Sequence, residues 1–226
     1  MKGLMFKARD SIHAVKRGFE TLKIKVGKDA AMDLERMKAI RKAVGYDVDL
    51  RIDANQGWSP KEAVKVLTDM EDAGLNIEFV EQPVKAHDIE GMKFVTDHVA
   101  IPVLADESVF SPQDALSILQ QHAADFINIK LMKTGGLYNA LKICSIAEVY
   151  GVECMIGCML EAKVSVNAAV HLAAAKSIIT KIDLDGPVLC SEDPVVGGSV
   201  FDNDRITPSD TPGLGVTKVN GIRYLD

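Results

Sequence analysis

Residues 48–83 read VDLRIDANQGWSPKEAVKVLTDMEDAGLNIEFVEQP. Two short apolar runs, VDLRIDA (48–54) and IEFVEQP (77–83), flank an amphipathic, helix-like stretch, SPKEAVKVLTDMEDAG (59–74). The helix has a good start, because Ser59 can cap it while Pro60 takes the first helical position. Gly74 suits the left-handed residue that follows a last helical turn. The stretch is therefore one complete strand–helix–strand unit.

The same rhythm extends in both directions. Upstream lie LKIKV (22–26) and the helix-like AAMDLERMKAIRKAV (30–44); downstream lie IPVLADES (101–108), DFINIKL (125–131), ECMIGCM (153–159) and KIDLDGP (181–187). A second Ser-Pro start, Ser111 and Pro112, opens SPQDALSILQQHA. Strands alternating with helices imply parallel strands joined by right-handed crossovers. An open doubly wound sheet shares this pattern, but seven units of nearly even length favour a barrel. The expected fold is α/β, a TIM-like (β/α) barrel of about seven parallel strands, one short of closure, forming a single catalytic barrel domain over residues 1–226.

Composition limits the functions open to such a chain. It has 226 residues, 47% of them hydrophobic and 26% charged, with a net charge of −6. The negative charge argues against nucleic-acid or anionic-membrane partners, which favour basic surfaces. The four cysteines, Cys144, Cys154, Cys158 and Cys190, form no CxxC pair and are too few for a disulfide scaffold. Cys154 and Cys158 lie in an apolar run with no neighbouring histidine, which reads as buried thiols rather than zinc ligands. His13, His87, His98, His122 and His171 show no repeating spacing and are given no chemistry. The N-terminal MKGLMFKARD has charges at Lys2, Lys7, Arg9 and Asp10 and no apolar core of a signal peptide. No apolar stretch is long enough to span a bilayer, so the expected location is the cytoplasm.

The chemistry lies at the strand ends. Lys23 and Lys25 are in the first run, Asp53 ends the second, Glu81 the third, Asp106 the fourth and Lys130 the fifth; Asp183 and Asp185 end the last. In a parallel barrel all strand C-termini face one rim, so these residues are expected to converge there. Asp53, Glu81 and Asp106 would then be three neighbouring carboxylates, which repel unless a cation holds them. An all-oxygen set without histidine or cysteine suits a hard divalent ion, Mg²⁺ above all. The competing view is that each acid is an unrelated helix cap or surface charge; three at successive strand ends weigh against it.

Lys23 and Lys25, two apart, share a strand face, with Leu22, Ile24 and Val26 pointing to the helix layer. One reading has them guard an exposed strand edge. The other has them beside the metal, where crowding by positive charge makes an ammonium group give up its proton more readily and lets it act as a base. Lys130 is expected from the opposite side of the barrel. A base on each face of one carbon is what racemisation or epimerisation needs. Asp183 and Asp185 share a strand face on either side of Leu184; they suit a cationic group such as a peptide ammonium, or else a turn ahead of Gly186-Pro187. Lys133 has no assigned role, the glycines of LMKTGG read as a tight turn, and Trp58 either lines the pocket or packs.

The ordered motifs TLKIKVG, RIDANQGW, VEQP, ADES, NIKLMKTGG and KIDLDGP, with TPGLG at 211–215, resemble the muconate-lactonising-like branch of the enolase superfamily. The likeness covers nearly the whole chain and is greatest to L-Ala-D/L-Glu (dipeptide) epimerases. It implies that Asp53, Glu81 and Asp106 bind Mg²⁺, that Lys25 and Lys130 are the acid/base pair, and that Lys23 assists electrostatically. It implies further that Asp183 and Asp185 hold the dipeptide α-ammonium. Muconate cycloisomerases and o-succinylbenzoate synthases share the metal and lysine pattern, but the final Asp-x-Asp argues against them. Cys158 stands where a small hydroxyl residue is expected.

Family chains begin with a capping domain that this sequence does not show. Residues 4–18 read as the first barrel helix, which puts KIKV on the second strand. The expectation is an N-terminally truncated barrel whose open edges are covered by self-association into a homo-oligomer. The alternatives to a working dipeptide epimerase are a catalytically inactive truncated homologue that folds or self-associates without turnover, and another proton-abstracting enzyme of the same branch.

Overall fold

The computed structural model describes residues 2–223. Seven strands and eight helices alternate as the rhythm predicts. They are α1 (Lys2–Lys16), β1 (Thr21–Lys25), α2 (Ala30–Val44), β2 (Asp49–Asp53), α3 (Pro60–Asp72), β3 (Ile77–Glu81) and α4 (Ile89–His98), followed by β4 (Val103–Ala105) and α5 (Pro112–Gln120). Next come β5 (Phe126–Lys130), a one-turn α6 (Leu131–Thr134), α7 (Leu137–Tyr150), β6 (Cys154–Gly157), α8 (Lys163–Ala175) and β7 (Ile179–Asp183). The sheet order is β1 through β7 in chain order, with parallel pairing, which is the topology of a (β/α) barrel lacking one strand of eight.

The chain divides into two compact units, Met1–Ser108 with Leu116–Ile127, and Val109–Ala115 with Asn128–Asp226. In the first, β2 and β3 are buried on both faces, as parallel strands covered by helices must be. Leu50, Ile52, Phe79 and Val80 are fully buried, as are Met37 and Ile40 of α2 and Leu67 and Met70 of α3. Burial of each such side chain stabilises by about 1.5–3 kcal/mol. Arg51, between Leu50 and Ile52, meets Glu78 at 2.6 Å and lies over the Phe79 ring.

The helix signals act as the sequence suggests. Ser59 accepts from the Glu62 backbone N–H while Glu62 reaches back to the Ser59 N–H, a complete capping box with Pro60 in the first turn. Gly74 has φ +63°, just beyond the last turn of α3. Ser111 Oγ likewise accepts from Asp114 N at 3.1 Å ahead of α5. Gly27 is required by geometry, since φ is +91° and a Cβ would collide with the Ala54 carbonyl oxygen.

In the second unit four short strands follow β7, where no strand was expected: β8 (Val195–Gly197), β9 (Val200–Asp202), β10 (Arg205–Thr207) and β11 (Val216–Val219). They pair antiparallel as β8 with β11 and β9 with β10. Runs of three or four residues are too short to show a period. Among the described residues no helix is long and apolar enough to cross a membrane.

Candidate active site

In the first unit, backbone register aligns the ionisable strand ends. Lys25 is the partner of Asp53 across β1 and β2, and Asp53 is the partner of Glu81 across β2 and β3. The three form one row at the C-terminal ends of adjacent strands. Asp106 follows one residue after β4, whose Leu104 pairs with Glu81. All three carboxylates are buried: Asp53 and Asp106 are 1% exposed and Glu81 is 0% exposed.

Buried carboxylates without counter-charge are strongly unfavourable, and the lysines of β1 supply it. Lys25 Nζ stands 2.5 Å from Asp53 Oδ2; Lys23 Nζ stands 3.1 Å from Glu81 Oε2 and 3.8 Å from Asp53 Oδ2. The Lys23 side chain is 19% exposed and that of Lys25 60%, so the two divide the work. Lys23 is the sheltered counter-charge and Lys25 the accessible ammonium group. Both ammonium groups engage buried carboxylates.

Neutral side chains extend this network. Asn55 accepts from Lys25 Nζ at 2.8 Å, donates its backbone N–H to Asp53 Oδ1 at 2.8 Å and donates its amide to Glu107 at 3.1 Å. Asn55, Gln56 and Gln82 have φ of 42°, 65° and 38° without being glycine. Such conformations cost of order 1–3 kcal/mol each and persist where surrounding structure enforces them. As they stand, no three Asp, Glu, His or Cys side chains among the described residues are gathered tightly enough to hold an ion. The donor chemistry is nevertheless of the kind that suits Mg²⁺, because the three buried carboxylates at neighbouring strand ends offer oxygen ligands alone.

The second unit holds the remaining expected residues. Lys130, at the end of β5, is 9% exposed, and Asn128 on the same face is fully buried. Gly157, the register partner of Asp183, lies against both: a Cβ there would stand 2.8 Å from Asn128 Oδ1 and 3.0 Å from Lys130 Cε. Lys133 donates to the Asn128 carbonyl at 3.2 Å and lies over the Phe110 ring, so it braces the end of β5. Glu161, 4% exposed, accepts from the Met159 N–H at 2.8 Å and from the Ser165 hydroxyl, tying the segment after β6 to α8.

One geometric expectation is corrected. Asp183 ends β7, but Asp185 lies beyond the strand; it is exposed and directly precedes a short 3-10 turn over Gly186–Leu189. The turn signal of Gly186-Pro187 acts two residues earlier than the strand reading allowed. Both aspartates remain close to Cys158, whose thiol accepts from the Gly186 N–H at 3.4 Å. Burial pushes that thiol up to about 11, with Asp185, Asp183 and Glu161 adding to the rise. Trp58 packs inside, at 4% exposure.

The residues missed in the sequence are Asn55, Gln82 and Glu161. Asn55 and Gln82 sit inside RIDANQGW and VEQP, and their signal was a polar residue within two positions of a strand-end acid. The family model described as Enolase C-terminal domain-like matches residues 7–219. An L-Ala-D/L-Glu epimerase of Clostridium acetobutylicum is 67% identical over 94% of this chain, which covers 60% of that protein. The substrate-liganded structure of the L-Ala-D/L-Glu epimerase from Bacillus subtilis matches with TM-score 0.92 and 51% identity, over 94% of this chain and 59% of that one. A dipeptide epimerase from Enterococcus faecalis, complexed with Mg and the dipeptide L-Leu-L-Tyr, matches with TM-score 0.89 and 48% identity, over 93% and 59% of the two chains. This chain thus spans about three fifths of the length of the proteins it matches.

Proposed function

The chain belongs to the Enolase C-terminal domain-like family, and from that premise we propose that it carries the catalytic machinery of a Mg²⁺-dependent epimerase acting on dipeptides such as L-Ala-D/L-Glu. The reaction would be a 1,1-proton transfer at the carbon next to the terminal carboxylate. The observation that carries this reading is the row Lys25, Asp53 and Glu81 across three strands, with Lys23 between the two acids. The similarity to epimerases that act on dipeptides supports the substrate class.

Asp53, Glu81 and Asp106 would hold Mg²⁺. When bound, the ion supplies positive charge beside the substrate carboxylate, which makes the neighbouring C–H more acidic. The chain's own groups do the rest. Lys25, the accessible member of its pair, removes or returns the proton on one face of the carbon, and Lys130 does so on the other. Lys23 keeps a fixed positive charge beside Glu81, which stabilises negative charge as it develops. Asp183 and Asp185 accept hydrogen bonds from the peptide α-ammonium.

Exchange of the α-proton in D₂O, followed by NMR with Mg²⁺ and a panel of dipeptides, tests the reading. Loss of the α-proton signal of the C-terminal residue is expected. Lys25→Ala should abolish exchange from one epimer, and Lys130→Ala from the other, each by at least ~10²-fold. If a form extended at its N-terminus exchanges and this chain does not, the barrel needs further chain to work. Exchange absent from both forms sinks the proposal.

A further inference from the structure

Gln82 follows Glu81 directly and is fully buried, with a left-handed φ of 38° that an L side chain rarely adopts. Its backbone N–H donates to the Leu104 carbonyl at 2.9 Å, and its carbonyl accepts from the Gln56 N–H at 2.8 Å. The side-chain oxygen accepts from the backbone N–H groups of Asp106 at 2.9 Å and Ser108 at 3.2 Å. The side-chain nitrogen donates to the Val84 carbonyl at 3.0 Å and to Ser108 Oγ at 2.8 Å. Two acceptor and two donor bonds use the whole capacity of an amide, and the partners fix which end is oxygen. Ser108 Oγ in turn donates to the Ala86 carbonyl, and Gln56 Oε1 accepts from the Ala86 N–H.

One residue thus bridges the chain just beyond three carboxylate-bearing strand ends: that of Asp53 through Gln56, that of Glu81 by adjacency, and that of Asp106 through the side chain. Of the six non-glycine residues with positive φ among those described, Asn55, Gln56 and Gln82 lie within three residues of Asp53 or Glu81. Strain at such places persists where geometry is enforced for function. We infer that Gln82 is a positioning residue that sets the mutual placement of Asp53, Glu81 and Asp106, and above all the backbone of Asp106. The inference rests on the proposal that these acids hold a divalent cation. It goes beyond that proposal by naming what pre-arranges them.

An apolar residue of similar length isolates the effect. Gln82→Met keeps the volume but offers Asp106 and Ser108 no acceptor comparable to the amide oxygen, whereas Gln82→Glu keeps an oxygen acceptor. Two readouts on the full chain separate the claims: hydrogen exchange of the 105–108 amides without metal, and Mn²⁺ affinity by electron paramagnetic resonance. Gln82→Met is expected to speed exchange at Asp106 and Ser108 at least tenfold, with α2 unchanged, and to weaken Mn²⁺ binding at least tenfold. Gln82→Glu keeps the acceptor but loses the donors to the Val84 carbonyl and Ser108 Oγ and adds a charge beside the acids, so only its amide exchange is compared, and exchange at Asp106 and Ser108 should be slower than in Gln82→Met. Parent-like exchange and affinity in Gln82→Met, or equal exchange losses at Asp106 and Ser108 in the Met and Glu variants, would overturn the inference. If the parent and Asp106→Asn bind Mn²⁺ equally poorly, the metal proposal fails instead, and local exchange alone decides whether Gln82 positions the strand end. Should Gln82→Met not fold, Gln82→Asn, one methylene short of its partners, is read the same way.

Discussion

Lys23 is placed where a single charge faces two buried acids. Its ammonium lies against Glu81, which is fully buried, and near Asp53. Removing one partner of a buried pair leaves the other charge uncompensated. Lys23→Met is therefore expected to lower the unfolding free energy by ~3 kcal/mol, measured by urea titration. Millimolar Mg²⁺ should restore part of the loss, because an ion bound only by the folded state stabilises it. Lys25→Met, at a more exposed position, should cost less than about 1 kcal/mol. A Lys23 variant as stable as the parent would remove Lys23 from its role as counter-charge. At this scale the acids and lysines were legible in the sequence because a charge at the end of an apolar run needs a reason. Asn55 and Gln82 were not, because a neutral amide beside a strand raises no such contrast until its partners are known.

The elements show where local rules suffice and where they stop. The Ser-Pro starts, the capping box and Gly74 act as written because each depends on residues within one turn. Gly157 is different, since its lack of a side chain matters only because Asn128 and Lys130 of β5 lie against β6. Asn128 is fully buried and Lys130 nearly so, and neither can move aside freely. Gly157→Ala is expected to lower the melting temperature by several degrees and, on the proposed function, to slow α-proton exchange at least tenfold, with the larger effect on the epimer proposed to use Lys130. An alanine variant with parent-like rates for both epimers would show that the ammonium position tolerates the added methyl. The short strands β8–β11 were missed because three or four residues carry no period. Asp185 was placed on a strand because the alternation of KIDLD continues past the point where the backbone turns.

For the whole molecule, β1 and β7 stand at the two ends of the strand order. An unpaired strand edge invites pairing with another chain. Val188, Leu189 and Val200 are each at least 60% exposed, which adds apolar surface in the second unit. Self-association is expected in light scattering at micromolar concentration, and a clean monomer would rule it out. The order and kind of the seven main strands, their helix starts and the strand ends that bear charge were determined by the sequence alone, because periodicity and capping are local properties. Tertiary structure decided the row of Lys25, Asp53 and Glu81, the sheltering of Lys23 against the exposure of Lys25, and the bridging role of Gln82. Register and burial depend on which distant segments pack together, and no local pattern specifies that.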